Sequence, residues 1–166
     1  FEWLTDSEVS DNPAIALALV RELAIASGPA GMAGGQMMDL EAEHSGFDLD
    51  IVARLQELKT GALIGFSVEA GAILAGVSEA DRAPLRQYAR DIGLAFQIAD
   101  DILDVEGDAA LAGKALQKDE AAGKETFVTL MGLEPARAEA HRLVDHAISQ
   151  LDGFGEEAAL LRAIAR

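Results

Sequence analysis

The sequence predicts an all-α protein, and three observations support this. Half of the residues are hydrophobic but only 5% are aromatic, and alanine and leucine, which favour helices, are abundant. Apolar residues recur over long segments that begin at capping residues and end at glycine or proline. No segment alternates apolar and polar residues in the way a half-buried strand does. At 166 residues the chain is long enough for one domain with a sizeable core.

The segments follow one another along the chain. Asn12 caps a helix that has Pro13 at its first position and runs to about Ser27. A glycine-rich helix follows, and then a helix that Asp48 or Asp50 caps, which continues through LKTGALIGF without a turn. The remaining predicted helices start near Ser78 and Thr126, at Pro135 and at Glu156.

The most informative stretch is Asp91 to Asp108, DIGLAFQIADDILDVEGD, which is apolar nearly all round but ends in carboxylates. Asp100 and Asp104 are four residues apart and so share one helix face, which Gln97 also joins. Carboxylates near a helix C-terminus repel one another and the helix dipole, so a cation is expected there. Oxygen ligands favour a hard ion such as Mg²⁺. The alternative is a solvated helix end.

Other candidate residues are weaker by themselves. Gln36 and Asp39 share a face of the glycine-rich helix, or are simply exposed. Lys59 is a lone cation at the rim of a buried helix that Gly61 allows to kink, or it is a surface lysine. The segment from Glu106 to Glu125 is either a solvated loop or a flap that closes over phosphate, with three cations at its tips, Lys114, Lys118 and Lys124.

Composition excludes several classes of function. A formal net charge of −16 without any basic block argues against nucleic-acid binding. No cysteine is present, so disulfides and thiolate metal sites are excluded, which fits a cytoplasmic location. The most apolar window, Gly61 to Val77, is short for a membrane span and is expected to be a core helix. The three histidines, His44, His141 and His146, do not form a convincing metal site.

Four segments, GGQMMDL, KTGALI, FQIADDILD and GK…GKET, in this order and spacing, make the chain similar to the trans-isoprenyl diphosphate synthases, especially bacterial short-chain enzymes of the farnesyl and geranylgeranyl type. The resemblance implies a helical bundle of the isoprenoid (terpenoid) synthase type around a central cavity. It also implies a prenyltransferase that condenses an allylic diphosphate with isopentenyl diphosphate, head to tail and trans, to a short-chain polyprenyl diphosphate.

By the same resemblance, up to three Mg²⁺ bind with the diphosphate. Asp100 would be a direct ligand, and Asp101 and Asp104 would hold metal-bound waters or a second contact. Lys59 would bind the allylic diphosphate, and two loop lysines, Lys114 and Lys124, would clamp it after closure.

The resemblance also implies roles for the remaining site residues. Thr60 and Gln97 would act on the developing cation or on the proton lost after condensation. Phe96 would line the isopentenyl site, and Gln36 and Asp39 would face the same cavity.

One departure limits these expectations. The first aspartate-rich motif and the isopentenyl diphosphate site of the family normally precede a segment like FEWLTD, and the chain begins at Phe1. Residues 1–166 are therefore expected to be the C-terminal part of a single polyprenyl synthase domain whose N-terminal helices are missing, inactive alone. A homodimer is expected from the family, and product length is not predicted. Alternatives are a terpene cyclase of the same fold, a non-catalytic helical regulatory subunit, or an acidic helical interaction domain.

Overall fold

The computed structural model describes residues 1–42, 46–106 and 125–166, and these are helical without any strand, which confirms the all-α prediction. Eight α-helices lie in the described residues. They are α1 (Pro13–Ser27), α2 (Met32–Ala42), α3 (Leu49–Gln56), α4 (Ala62–Leu74), α5 (Ala83–Glu106), α6 (Phe127–Met131), α7 (Leu133–Gln150) and α8 (Ala159–Ala165).

Side-chain caps fix where several helices begin. The Asn12 side chain accepts a hydrogen bond from the Ala14 backbone N–H at 3.0 Å, with Pro13 at the first position, as predicted. Of the two predicted caps for α3, Asp48 is the one used, since its carboxylate accepts from the Ile51 N–H at 2.9 Å. Thr126 and Thr129 form a reciprocal capping box at α6.

Helices α3 and α4 belong to one continuous helical run that contains a π-helical turn, Glu57–Gly61. The predicted kink at Gly61 therefore takes the form of a widened turn without a break in the helix. Single π-turns are uncommon in helices, but those that occur are often found at functional sites. Lys59 and Thr60 lie on this turn.

The core is built around the paired helices α5 and α7 and divides into two clusters. One joins α4, α5, α7 and the C-terminal segment around Tyr88 and Leu151. The other joins α3, α5, α6 and α7 around Ile98 and Phe127. Helix α5 thus packs on both clusters, which fixes the position of the residues along it.

Some predicted boundaries differ from the structure. Helix α7 begins at Leu133, two residues before Pro135, because the left-handed backbone of Gly132 (φ 88°) ends α6 and lets the chain turn into α7. The last α-helix begins at Ala159, later than the predicted Glu156, because a 3₁₀ segment (Asp152–Ala158) precedes it. Most of the predicted loop after Glu106 lies outside the described residues.

One stretch of the described residues, Pro13–Glu41, is long and apolar enough to cross a membrane by length and composition. This is weak support for a span, because core helices of other proteins meet the same criterion. The stretch also contains a turn between α1 and α2, and neither helix alone reaches the roughly 20 residues that a bilayer requires.

Candidate active site

Lys59 projects from the π-turn towards α2, where its Nζ atom lies 2.8 Å from the Oδ2 atom of Asp39. The Asp39 side chain is 14% exposed and that of Lys59 is 34% exposed, so this ion pair lies partly below the surface. A partly buried lysine held by one carboxylate has two further N–H donors with which it can bind an anion. The structure thus brings together two predicted site residues that are 20 positions apart.

Thr60, the next residue on the π-turn, contacts helix α5. Its Oγ1 atom lies 3.3 Å from Oε1 of Gln97, and Nε2 of Gln97 lies 3.3 Å from Oδ1 of Asp101. The other carboxylate oxygen of Asp101 accepts a hydrogen bond from the Phe127 backbone N–H at 2.9 Å. A continuous chain of polar contacts therefore joins the π-turn, α5 and the start of α6.

The direction of these hydrogen bonds follows from Asp101. An ionised carboxylate only accepts hydrogen bonds, so Gln97 must turn its NH₂ group towards Asp101 and its carbonyl oxygen towards Thr60. The Thr60 hydroxyl then donates to Gln97, and its lone pairs stay available to a positively charged or proton-donating group.

The three aspartates at the C-terminal end of α5 are not turned into bulk solvent. Asp101 is 3% exposed, Asp104 is 8% exposed, and Asp100 is partly buried. Asp100 and Asp104 share a face of α5 and offer hard oxygen ligands, so they fit Mg²⁺ in chemical kind. Among the described residues no three acidic or histidine side chains come close enough to hold a metal ion by themselves. Further oxygen ligands are needed, and diphosphate oxygens have the appropriate chemistry.

The remaining predicted site residues are less constrained. Gln36 is partly buried on α2, one turn before Asp39. Phe96 is 57% exposed on α5, beside Gln97. Lys114 and Lys124, the predicted diphosphate clamp, lie outside the described residues.

A cavity of about 700 Å³ lies between α1, the α3–α4 run and α5. Its wall includes Leu58 and Gly61 of the π-turn, but none of the predicted site residues in the described part of the chain lines it. The candidate site is thus not this cavity.

The sequence does not predict the partners of Glu69 on α4. The Glu69 carboxylate accepts hydrogen bonds from Nη1 of Arg82 (3.0 Å) and from Nε and Nη2 of Arg86 (3.0 and 2.8 Å). Burial raises the pKa of Glu69, but the hydrogen bonds and charges of the two arginines outweigh it and hold the pKa below its ordinary value. The sequence does show a carboxylate inside an apolar helix, and this feature indicates a counterion because a buried charge needs one.

A second contact without a sequence signal joins α5 to α7. Nδ1 of His146 lies 2.7 Å from Oδ2 of the buried Asp91, whose other oxygen accepts from Gln87 at 2.9 Å. His146 thus has a structural partner and lies away from the aspartates at the other end of α5.

Comparisons with known proteins identify the family of this chain. A family model described as Polyprenyl synthetase matches residues 10–164. Farnesyl diphosphate synthase of Escherichia coli is 47% identical over 161 residues, which cover 95% of this chain and 53% of that protein. Farnesyl diphosphate synthase of Bacillus subtilis is 41% identical over 169 residues, which cover 96% of this chain and 57% of that protein. The chain therefore spans about half the length of these relatives.

Solved structures show the same fold. An FPP/GFPP synthase from Zymomonas mobilis superposes with a TM-score of 0.88 at 51% identity, over 99% of this chain and 55% of that one. A geranyltransferase from Helicobacter pylori, complexed with magnesium and isoprenyl diphosphate, gives a TM-score of 0.80 at 31% identity, over 93% of this chain and 52% of that one. The match of the family model to nearly the whole chain shows that this protein belongs to the polyprenyl synthetase family.

Proposed function

We propose that the protein containing this chain is a short-chain trans-prenyltransferase, which condenses an allylic diphosphate with isopentenyl diphosphate. The observation that carries the proposal is the contact chain that joins the π-turn to α5. Thr60 and Gln97 are 37 positions apart, yet they meet beside Lys59 and beside the acidic end of α5. These contacts support the proposal because Lys59, which would bind an anion, and the acidic end of α5, which would bind metal, are both next to Thr60 and Gln97.

In the proposed reaction the allylic carbon–oxygen bond breaks and diphosphate leaves with the electron pair. The alkene of isopentenyl diphosphate then bonds to the allylic carbon, and a proton is lost. The Lys59 ammonium would bind the leaving diphosphate and stabilise its growing negative charge, with Asp39 holding the side chain in place. The lone pairs of Thr60, oriented through Gln97, would face the developing positive charge.

Asp100 and Asp104 would hold Mg²⁺ together with the diphosphate. When bound, Mg²⁺ supplies positive charge that neutralises the leaving group. Asp101 was expected from the family resemblance to contribute to the same metal site. Its two oxygens already accept N–H hydrogen bonds, and we infer that it orients Gln97 and the start of α6. Roles for Gln36, Phe96, Lys114 and Lys124, a homodimer and a cytoplasmic location stay predictions from the family resemblance.

The test uses the full-length protein. We expect inorganic diphosphate with MgCl₂ to raise the melting temperature by several degrees, since saturation at about 100 times the dissociation constant adds about 2.7 kcal/mol. Neither component alone, at matched ionic strength, should produce this rise. With both substrates, the product should be a prenyl diphosphate longer by one isoprene unit, and EDTA should abolish its formation.

Absence of both the thermal shift and the product would contradict the proposal and favour a non-catalytic helical subunit. A thermal shift accompanied by release of diphosphate and a cyclic hydrocarbon would instead indicate a terpene cyclase.

A further inference from the structure

The π-turn Glu57–Gly61 lies between α2 and α5 and contacts each of them through a glycine. A π-turn is less stable than an α-helical turn and persists when surrounding contacts favour it. Here the turn carries the two side chains, Lys59 and Thr60, that we place in the active site. Whatever holds this backbone therefore also sets where these two side chains point.

On one side, Gly35 of α2 lies directly against the backbone of the turn. A Cβ atom at residue 35 would lie 2.3 Å from the Lys59 backbone N and 2.7 Å from the Lys59 Cα. Real Cβ atoms essentially never approach so closely, and both neighbours are backbone atoms that cannot rotate away. Any side chain at residue 35 would therefore push the π-turn and α2 apart.

On the other side, Gly93 of α5 lies against the last residue of the turn. A Cβ atom at residue 93 would lie 3.1 Å from the Cα of Gly61, so the two backbones would have to separate by a few tenths of an ångström. Both Gly35 and Gly93 are buried. A side chain at residue 93 would thus displace the backbone less than a side chain at residue 35.

Each glycine also lies one helical turn before the polar partner that its helix offers to the π-turn. Gly35 precedes Asp39, the partner of Lys59, by four residues. Gly93 precedes Gln97, the partner of Thr60, by four residues. Residues four apart lie on one helix face, so each helix presents a backbone contact and a polar contact to the same turn.

We propose that Gly35 and Gly93 are positioning residues for the active site. They let α2 and α5 close on the π-turn from two sides, and this closure brings Lys59 to Asp39 and Thr60 to Gln97. The proposal rests on the proposed function, because it assigns the glycines a role in diphosphate binding and ionisation through Lys59 and Thr60. A role in packing alone would change stability without changing the kinetics of the folded enzyme.

The test introduces Gly35→Ala and Gly93→Ala separately into the full-length protein and uses Gly71→Ala as the control. Gly71 is an exposed glycine of α4, and a Cβ atom there meets nothing within 4 Å. Alanine is the better helix former, so Gly71→Ala should fold at least as well as the wild type, with unchanged kinetics.

Well below the melting temperature, we expect Gly93→Ala to lower kcat/KM for the allylic diphosphate by about tenfold. The loss should be larger, about 100-fold, for Gly35→Ala, because misplacement of a site by about 1 Å costs on that order. The thermal shift produced by inorganic diphosphate with MgCl₂ should shrink in both variants. In a Lys59→Ala background, Gly35→Ala should cause a smaller loss than in the wild type, because part of its effect acts through that lysine.

Three results are decisive. Folded Gly35→Ala and Gly93→Ala variants with wild-type KM and kcat would overturn the proposal, and so would fully additive losses in the double variant. If Gly35→Ala fails to fold, the KM and kcat of Gly93→Ala decide, and wild-type values would overturn the proposal. A wild-type protein with neither thermal shift nor product would instead contradict the proposed function, independently of the glycines.

Discussion

Asp100 and Asp101 are adjacent on α5, but their carboxylates have different surroundings. Asp101 is buried, and its two oxygens accept hydrogen bonds from Gln97 and from the Phe127 backbone N–H. Asp100 is partly exposed on the face that it shares with Asp104. At the scale of single residues these surroundings support the two roles that we propose, which are orientation of Gln97 for Asp101 and metal binding for Asp100.

Replacement of either aspartate by asparagine tests this separation. In Asp101→Asn the new NH₂ group opposes the NH₂ group of Gln97 or the Phe127 N–H, and such mispairing costs about 1–3 kcal/mol. We expect kcat to fall about tenfold while the half-saturating Mg²⁺ concentration stays within about twofold of the wild type. Asp100→Asn should raise the Mg²⁺ requirement strongly. Equal increases in the Mg²⁺ requirement of both variants would identify Asp101 as a metal ligand.

At the scale of elements, the ion cluster around Glu69 holds the connection between α4 and α5. Arg82 also donates to the Val77 carbonyl oxygen (2.8 Å), and Arg86 also pairs with the exposed Glu79 (2.6 Å). The side chain of Glu69 is 10% exposed, so its loss would leave two guanidinium groups without their central partner. The cluster therefore fixes the position of the N-terminal part of α5 relative to α4.

We expect Glu69→Gln to lower the free energy of unfolding by roughly 3 kcal/mol at pH 7, because one partner of a buried ion cluster is lost. The pKa of Glu69 is lowered in the folded state, so the contribution of Glu69 is complete above its ordinary value of 4.5 and is lost as the pH falls through the folded pKa. The difference between wild type and variant, measured by urea denaturation, should therefore shrink below about pH 4.5. Glu79→Gln, an exposed control, should destabilise less, and a pH-independent difference at Glu69 would contradict the assignment.

At the scale of the whole molecule, small residues allow α5 and α7 to pack closely between the two core clusters. Ala136 and Ala147 on α7 are completely buried, as is Ile98 on α5, and Ala89 and Ala95 are nearly so. Interiors at native packing density have little room for larger side chains at such positions. The close packing along this helix pair keeps the two clusters, and so the π-turn and the acidic end of α5, in a fixed relation.

Ala147→Leu should destabilise the protein by about 1–3 kcal/mol, because the added carbons must displace α5 or α7. The matched control is Ala138→Leu, an exposed position on the same helix, which should change the free energy of unfolding by less than about 0.5 kcal/mol. Urea denaturation of both variants measures the difference. Equal stability of the two variants would show that the contact at Ala147 is loosely packed.

Local sequence signals predicted the features that depend on neighbouring residues. The cap at Asn12, a cap of α3 at Asp48 or Asp50, the apolar α5 and the acidic residues at its end follow from spacing and residue type, and the structure contains them, with Asp48 as the cap of α3. The predictions of caps and helices are confirmed because capping and helix periodicity are local. The roles of Lys59 and Thr60 stay predictions from the motif resemblance.

The sequence by itself determined the helical class, some of the helix starts and the family, because periodicity, caps and motif spacing depend only on the order of the residues. The tertiary structure alone decided which residues meet. It joined Lys59 to Asp39 and Thr60 to Gln97, buried Asp101 against the start of α6, and placed Gly35 and Gly93 on either side of the π-turn. These pairings depend on how separate helices pack, and the energies of many weak contacts across the whole core determine that packing.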